Sequence, residues 1–230
     1  MKRGEKDPLL RRIMTGVLVA VIPAMLAYVV NFVDGLRREE LTYVNTQMEK
    51  LYGPLYALTQ ANDVAWDQFV STYWPMDGRR YFFDPTRSPT IEQVDKWRLW
   101  IITVFQPLNV EMEKTIVNNS QLILGRRMPT VFKELIAHTE AYKVVIAAWK
   151  ESDRQDPRAY TSRFNNTVTG VSYPTNISEC VQRVYDGLKE RQEHLQRNMF
   201  SSLRPAAILP VAACDPTSQS RLPSNLRPLD

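Results

Sequence analysis

The two histidines are the residues best suited to metal binding or acid–base chemistry, and each follows a glutamate by four positions on a predicted helix. His138 lies after Glu134, and His194 lies after Glu190. Helix-borne di-iron sites instead place a histidine three residues after a glutamate and add carboxylates from facing helices. We therefore interpret both histidines as core or ion-paired side chains, and we predict neither a metal site nor a cofactor.

Nucleophilic catalysis has no recognisable motif in this chain. The sequence lacks Gly-x-Ser-x-Gly, His-Glu-x-x-His and a Gly-rich phosphate loop, and it holds eight glycines in all. Cys180 falls within a helical pattern, where a small buried apolar residue is the usual interpretation, and Cys214 falls near the C-terminus. We interpret the two cysteines as not linked to each other, so they form no disulfide framework. The sequence therefore predicts a protein without catalytic activity.

A proline inside an apolar helical stripe marks the first candidate site. Proline removes a backbone hydrogen bond, and its ring clashes with the carbonyl four residues earlier. Pro54 follows Gly53 within a run of apolar residues three and four positions apart, so we predict a kink there. Tyr52 and Tyr56 flank the kink on one helix face. These four residues are candidates for an interaction groove or hinge, and a purely structural role is the alternative.

Pro107 interrupts a second predicted helix in the same way. If the two helices are antiparallel with level ends, Pro54 lies about 30 Å from its end and Pro107 about 25 Å, so the prolines share one level. Asn62 occupies a stripe position, where a polar residue fixes helix register or bonds a carbonyl freed by a kink. Pro107 and Asn62 complete the set of candidate interaction or hinge residues.

Residues 13–33 form an apolar segment that fits a membrane. These twenty-one residues carry no charge, and as a helix they span about 30 Å, the thickness of a hydrocarbon core. A cleavable signal peptide would have a shorter apolar run and a small-x-small end. Residues 1–12 hold five Lys and Arg, which places the N-terminus in the cytoplasm and the domain on the opposite side. Arg37 and Arg38 act against this orientation.

In the remaining chain, apolar residues recur at helical spacing. We therefore predict a mainly α protein with one N-terminal transmembrane helix and an antiparallel bundle of about four helices. The bundle domain covers residues 34–200, behind a basic tail of residues 1–12. Loops are predicted at residues 75–89 and at residues 152–175, the latter with a short extended piece over residues 168–173. Residues 201–230 are rich in proline and serine, which predicts a disordered tail that buries no core. The predicted helices cover residues 41–74, 90–123, 129–149 and 177–195.

Charge distribution argues against a nucleic-acid partner. The formal net charge of +4 comes from residues 1–12 and from the last thirty residues, so residues 34–200 are neutral overall. A neutral domain has no electrostatic footprint for a polyanion. The predicted partners are the lipid bilayer through residues 13–33, an unidentified protein and further copies of this chain.

The motif LYGPLYAL at residues 51–58, followed by Gln60-Ala61-Asn62, resembles one in uncharacterised bacterial proteins with a single N-terminal transmembrane helix. Weaker similarities lie at residues 105–113, 138–149 and 171–192. The resemblance implies the same architecture, a bacterial source and hence a place in the cytoplasmic (inner) membrane. It implies no activity.

These features favour a membrane-anchored helical module that binds a partner or senses a state at the bilayer, without catalysis. The alternative is a membrane effector, for example in bacterial defence, whose single span oligomerises when the domain is triggered. An enzyme is the remote alternative, and it would require a concave pocket with convergent polar groups.

Overall fold

A computed structural model describes residues 8–73, 91–125, 127–155 and 171–197, together with Cys214. This part of the chain is predominantly helical and contains no strand. It divides into two compact units, of which the first comprises Met1–Asn45 and Glu190–Ala207. The second comprises Thr46–Lys189 and Ile208–Asp230.

Helix α1, Pro8–Gln47, contains the predicted membrane segment and continues without a break past Asp34 and Gly35. Its apolar stretch is long enough to cross a membrane, and only 6% of the most apolar window is buried. Large side chains such as Val19, Met25 and Leu26 are about two-thirds exposed. An unburied apolar surface of this length is unfavourable in water and suited to lipid.

In the first unit, the end of α1 is joined to the last part of helix α6, Ile177–Arg197. Arg191 donates a hydrogen bond of 2.8 Å from Nε to the Glu40 carboxylate. Arg37 donates one of 3.1 Å to the carbonyl of Leu195, which lies in the last turn of α6. Cationic side chains near a helix C-terminus satisfy carbonyls that have no partner within the helix.

A π-helical turn precedes Pro54 and Pro107, whereas Pro23 lies inside α1 without such a turn. The first π turn, Met48–Tyr52, follows α1 and leads into α2, Gly53–Tyr73. The second π turn, Ile101–Phe105, joins α3, Ile91–Trp100, to α4, Gln106–Asn118. Gly53 donates its N–H to the carbonyl of Met48, five residues earlier. The wider turn relieves the clash that the ring of Pro54 or Pro107 would make with an α-helical carbonyl. The bend predicted at each of these prolines stays a prediction.

The prediction that Pro54 and Pro107 share one level is wrong. The two helices are antiparallel, since Gln47 bonds the carbonyl of Leu122 at 2.8 Å while Trp66 contacts Phe105. This register places Pro107 beside Asp63, offset from Pro54 by about 13 Å at the standard helical rise. The prediction assumed level helix ends at residues 74 and 90, which lie outside the described residues.

The last two bundle helices lie close to their predicted places. Helix α5, Thr130–Gln155, begins after Pro129 but continues six residues beyond the predicted end at Trp149, since proline is absent before residue 157. Helix α6 begins at Ile177, as predicted. The loop at residues 75–89 lies outside the described residues, as do residues 156–170. Val171 to Tyr173, predicted as extended, form no strand.

Aromatic side chains dominate the core of the second unit where α2, α3, the second π turn and α5 meet. Phe69 is fully buried there and contacts the rings of Trp97, Trp100 and Phe105 at centroid distances of 5.3–5.9 Å. Such pairs stabilise beyond the area that they bury. Buried apolar residues elsewhere in the unit are Leu51, Leu55, Met112, Ile116, Phe132, Leu135, Val181, Val184 and Leu188.

The two cysteines form a disulfide, contrary to their interpretation as unlinked residues. Cys180 lies on α6 and Cys214 in the C-terminal region, with their Cα atoms 4.9 Å apart. Both are buried, at 1% and 2% exposure. The expectation that residues 201–230 bury nothing is therefore wrong at Cys214, although the other residues of this tail lie outside the described part. Spacing along the sequence gave no signal for a bond that closes 34 residues.

Candidate functional site

The second unit contains a cavity of about 410 Å³. Its walls come from α2, α3, the second π turn, α4, α5 and the segment that precedes α6. Cavities of this size, with apolar walls and a few polar groups, are typical of small-molecule sites. The lining residues are Asn62, Asp63, Trp66, Trp97, Ile101, Phe105, Asn109, His138, Tyr142, Val171, Ser172, Tyr173 and Thr175.

Three rings form one side of the cavity wall. The indole of Trp66 meets that of Trp97 edge-on, with centroids 6.0 Å apart, and tilts against Phe105 at 5.9 Å. Phe105 closes the second π turn, so the widened helix brings this ring to the cavity. π turns occur frequently at functional sites, because they reposition the side chains that follow them.

Two asparagines on facing helices contribute buried amides to the wall. Asn62 on α2 is 6% exposed, and Asn109 on α4 is 4% exposed. The amide oxygen of each is shielded from solvent and has no hydrogen-bond partner among the described residues. A buried acceptor without a partner costs about 1–3 kcal/mol. Two roles were expected for Asn62: fixing the helix register, or bonding a carbonyl freed by a kink. Neither role gives its amide oxygen a hydrogen-bond partner.

His138 lies in the wall as a neutral imidazole. Its Nδ1 atom lies 2.9 Å from the carbonyl oxygen of Val171, which only accepts, so Nδ1 carries the proton. Burial lowers the pKa of His138 from its ordinary value of 6.5, because the charged form loses hydration. The ring is buried, as the core interpretation requires, but it also lines a cavity. No ion pair with Glu134 is found, and Glu134 is exposed.

Two tyrosines surround this histidine. The ring of Tyr142 lies 4.8 Å from that of His138, and the ring of Tyr173 meets it edge-on at 5.6 Å. Burial raises the pKa of Tyr142 to about 12. Burial and the negative charge of Asp63 raise the pKa of Tyr173, and the approach of the Asn62 side chain to the phenol opposes this shift. The Tyr173 hydroxyl therefore lies near the Asn62 amide, although their contact falls outside ordinary hydrogen-bond geometry.

Of the six residues singled out from the sequence, only Asn62 lines the cavity. Tyr52 is buried, and its hydroxyl accepts a hydrogen bond of 3.0 Å from the Leu124 N–H, which fixes the connection after α4. Tyr56 stacks on Tyr185 of α6 with centroids 5.0 Å apart. Both tyrosines therefore make structural contacts within the described part of the chain.

The other three residues shape the π turns. A Cβ atom built on Gly53 would lie 2.4 Å from the carbonyl oxygen of Met48, so the first π turn requires glycine at this position. Pro54 is partly buried and Pro107 is exposed. Pro107 influences the cavity indirectly, since the π turn that precedes it supplies Ile101 and Phe105.

Sequence reasoning missed most of the cavity. It did not single out Asn109, Tyr173 or the two tryptophans, and it placed Tyr142 in an apolar stripe. It weighed His138 as a metal ligand and then interpreted it as a core or ion-paired side chain. One signal was present: Asn62 and Asn109 both occupy polar positions on otherwise apolar helix faces. Only the observed register of the two antiparallel helices places them opposite each other, and the sequence did not give that register.

Among the described residues, no group of three His, Cys, Asp or Glu side chains lies together as a metal site would need. Neither a family model, nor a curated protein, nor a solved structure matches this chain.

Proposed function

We propose that this chain is a single-pass protein of a bacterial cytoplasmic membrane whose helical domain senses a small molecule in its cavity. The cavity with the buried, unpartnered amide oxygens of Asn62 and Asn109 is the observation that carries the proposal. Unpaired buried acceptors are costly in the empty state, and a ligand that donates hydrogen bonds offsets that cost. The terminal amide torsion is soft, so each oxygen turns toward a ligand at little expense.

Helix continuity supports a sensing role over mere storage of a ligand. The cavity residues Asn62, Asp63 and Trp66 lie on α2, which follows α1 through the first π turn. A π turn contains one residue more than the α-helical turn that it replaces, and we propose that conversion between the two is the change that a bound ligand biases. Sensing needs such a two-state element.

Two observations support a domain on the non-cytoplasmic side of the membrane. Five basic residues precede the span, and the buried Cys180–Cys214 disulfide belongs to oxidising compartments rather than the cytoplasm. Alkaline phosphatase fused after Leu203 is expected to be active in intact cells. A silent phosphatase fusion together with a bright fluorescent-protein fusion would place the domain in the cytoplasm and overturn this orientation.

The ligand test uses the full chain in lipid nanodiscs and a panel of soluble amines, carboxylates, amino acids and nucleosides. A ligand at a hundred times its Kd stabilises the folded state by about 2.7 kcal/mol, which raises the Tm by roughly 5–10 °C. We expect at least one class to do so, and Asn109→Leu to abolish the shift. Asn118→Leu is the matched control, because Asn118 is exposed on the same helix. A panel without any shift would refute the sensing proposal.

Catalysis is a second candidate, favoured by the neutral imidazole of His138 in the cavity wall. An uncharged histidine at neutral pH is suited to general-base chemistry. The two functions separate when a bound panel compound is recovered after incubation, because a sensor returns it unchanged and an enzyme does not. His138→Gln should leave binding intact in the first case and stop conversion in the second.

A further inference from the structure

The chemistry of the cavity wall points to a particular ligand charge, and this inference rests on the proposed ligand-sensing function. Among the lining residues, Asp63 supplies the one carboxylate, burial disfavours the charged form of His138, and neither lysine nor arginine contributes. An anionic ligand would therefore meet a carboxylate without a compensating cation. The wall favours a positive charge.

The unpartnered atoms select a hydrogen-bond donor. The amide oxygens of Asn62 and Asn109 only accept, and the nearby Tyr173 hydroxyl accepts as well as donates and so does not exclude a donor. An ammonium group carries up to three N–H donors and no acceptor, so it complements such a set. A neutral hydrocarbon of the same shape would leave the buried oxygens unpaired and retain their cost.

The rings supply the third element of cation recognition. Trp66, Trp97 and Phe105 meet at edge-on and tilted angles on one side, while Tyr142 and Tyr173 flank His138 on the other. All five rings line the same cavity. Each indole or phenol face attracts a cation within about 6 Å of its centroid, and most strongly where water is displaced.

We infer that the cavity binds an organic ammonium cation, with its charge near Asp63 and the two asparagine amides and its apolar part against the aromatic wall. Asp63 sets the preference for positive charge, and Asn62 and Asn109 receive N–H donors. The ligand class is an amine with an aromatic or branched apolar portion, for which a cavity of about 410 Å³ has room.

Three probes of matched shape test this inference: 2-phenylethylammonium, 2-phenylethanol and 3-phenylpropanoate. They carry positive, zero and negative charge on the same phenylethyl group. The full chain in nanodiscs is titrated with each, and intrinsic fluorescence is followed, because Trp66 and Trp97 line the cavity. We expect the ammonium compound to bind at least tenfold more tightly than either of the others.

Variants that remove one negative charge distinguish a specific effect of Asp63 on binding from the effect of the overall charge of the protein. Asp63→Asn should weaken binding of 2-phenylethylammonium at least tenfold and change binding of 2-phenylethanol less than twofold. Asp67→Asn is the control, since Asp67 is exposed one turn further along α2. It should change neither. Melting curves of both variants show whether the fold is retained, and Asp63→Glu, which keeps the charge, should retain the preference.

The outcomes distinguish the inference from the proposed function. Equal binding of all three probes, or tighter binding of the carboxylate, would overturn the cation inference while leaving a ligand site in place, provided that Asn109→Leu weakens that binding. An unchanged preference in a folded Asp63→Asn variant would overturn it as well. The absence of any response to all three probes, together with a silent panel in the melting screen, would remove both proposals.

Discussion

Gly53→Ala is the substitution whose effect follows most directly from the structure. The new Cβ atom would lie 2.4 Å from the carbonyl oxygen of Met48, whereas real Cβ contacts stay beyond 3.0 Å. The obstacle is backbone that also accepts the Gly53 N–H bond, so it cannot rotate away as a side chain would. The first π turn must therefore open by at least about 0.6 Å or rearrange.

The energetic cost has opposing parts. Loss of the Gly53 N–H bond costs about 0.5–1.5 kcal/mol, and overpacking beside the buried side chains of Leu51, Tyr52 and Leu55 costs about 1–3 kcal/mol. The better helix propensity of alanine returns up to about 1 kcal/mol. The expected net destabilisation is about 1–3 kcal/mol, or roughly 3–10 °C in Tm for a domain of this size.

The assay is a thermal melt of the full chain in nanodiscs, followed by intrinsic fluorescence. Gly35→Ala is the matched control, because a Cβ there meets nothing within 4 Å and the residue also lies inside a helix. That variant should melt at or slightly above the wild-type temperature. If Gly53→Ala melts as high as Gly35→Ala, the first π turn does not depend on glycine and the reasoning fails.

Three further predictions concern the asparagines, the disulfide and the histidine. Asn109→Leu should raise the free energy of unfolding by about 1 kcal/mol, because it removes a buried acceptor without a partner; a lower Tm would contradict this. Cys214→Ser should lower the stability by about 3–4 kcal/mol, since the bond closes 34 residues in the unfolded chain. Deletion of residues 201–230 should cost at least as much, and a Tm unchanged by either would show that the bond is not stabilising. Burial lowers the pKa of His138, so the unfolded chain binds that proton more readily and stability should fall as the pH drops below about 6.5. Urea denaturation across pH 5–7 measures this slope, and His138→Gln should reduce it; an equal slope in that variant would refute the assignment.

The parts of the fold that depend only on residues close together in the sequence were predictable from the sequence. Twenty-one uncharged, mostly apolar residues predicted an apolar helix, and the described residues contain one helix long and apolar enough to span a membrane. Apolar residues at helical spacing predicted a mainly helical domain, and helix α6 begins at the expected residue. Pro54 and Pro107 indicated two interrupted helices, because each proline removes a backbone hydrogen bond. This signal is not sufficient by itself, since α1 continues through Pro23.

The exact form and level of those turns required the tertiary structure. A sequence shows that a proline breaks a hydrogen bond, but not whether the helix responds with a bend or with a π turn. The pairing of the two helices is set by which rings fit together, and here Trp66 and Phe105 fix a register that places the prolines apart. The level of the two prolines was estimated from predicted helix ends, which contain no information about how those rings pack.

The site itself was decided by tertiary structure. Asn62, Asn109, His138 and Tyr173 come from separate segments, and their proximity depends on the packing of several helices. The Cys180–Cys214 bond joins positions 34 apart that follow no motif. A cavity is space that packed side chains leave between them, so no local property of the chain encodes it. The sequence by itself determined an anchor and a set of apolar helix faces. Only the packing of those faces decided which polar side chains share an enclosed space, because that depends on the distances between residues far apart in sequence.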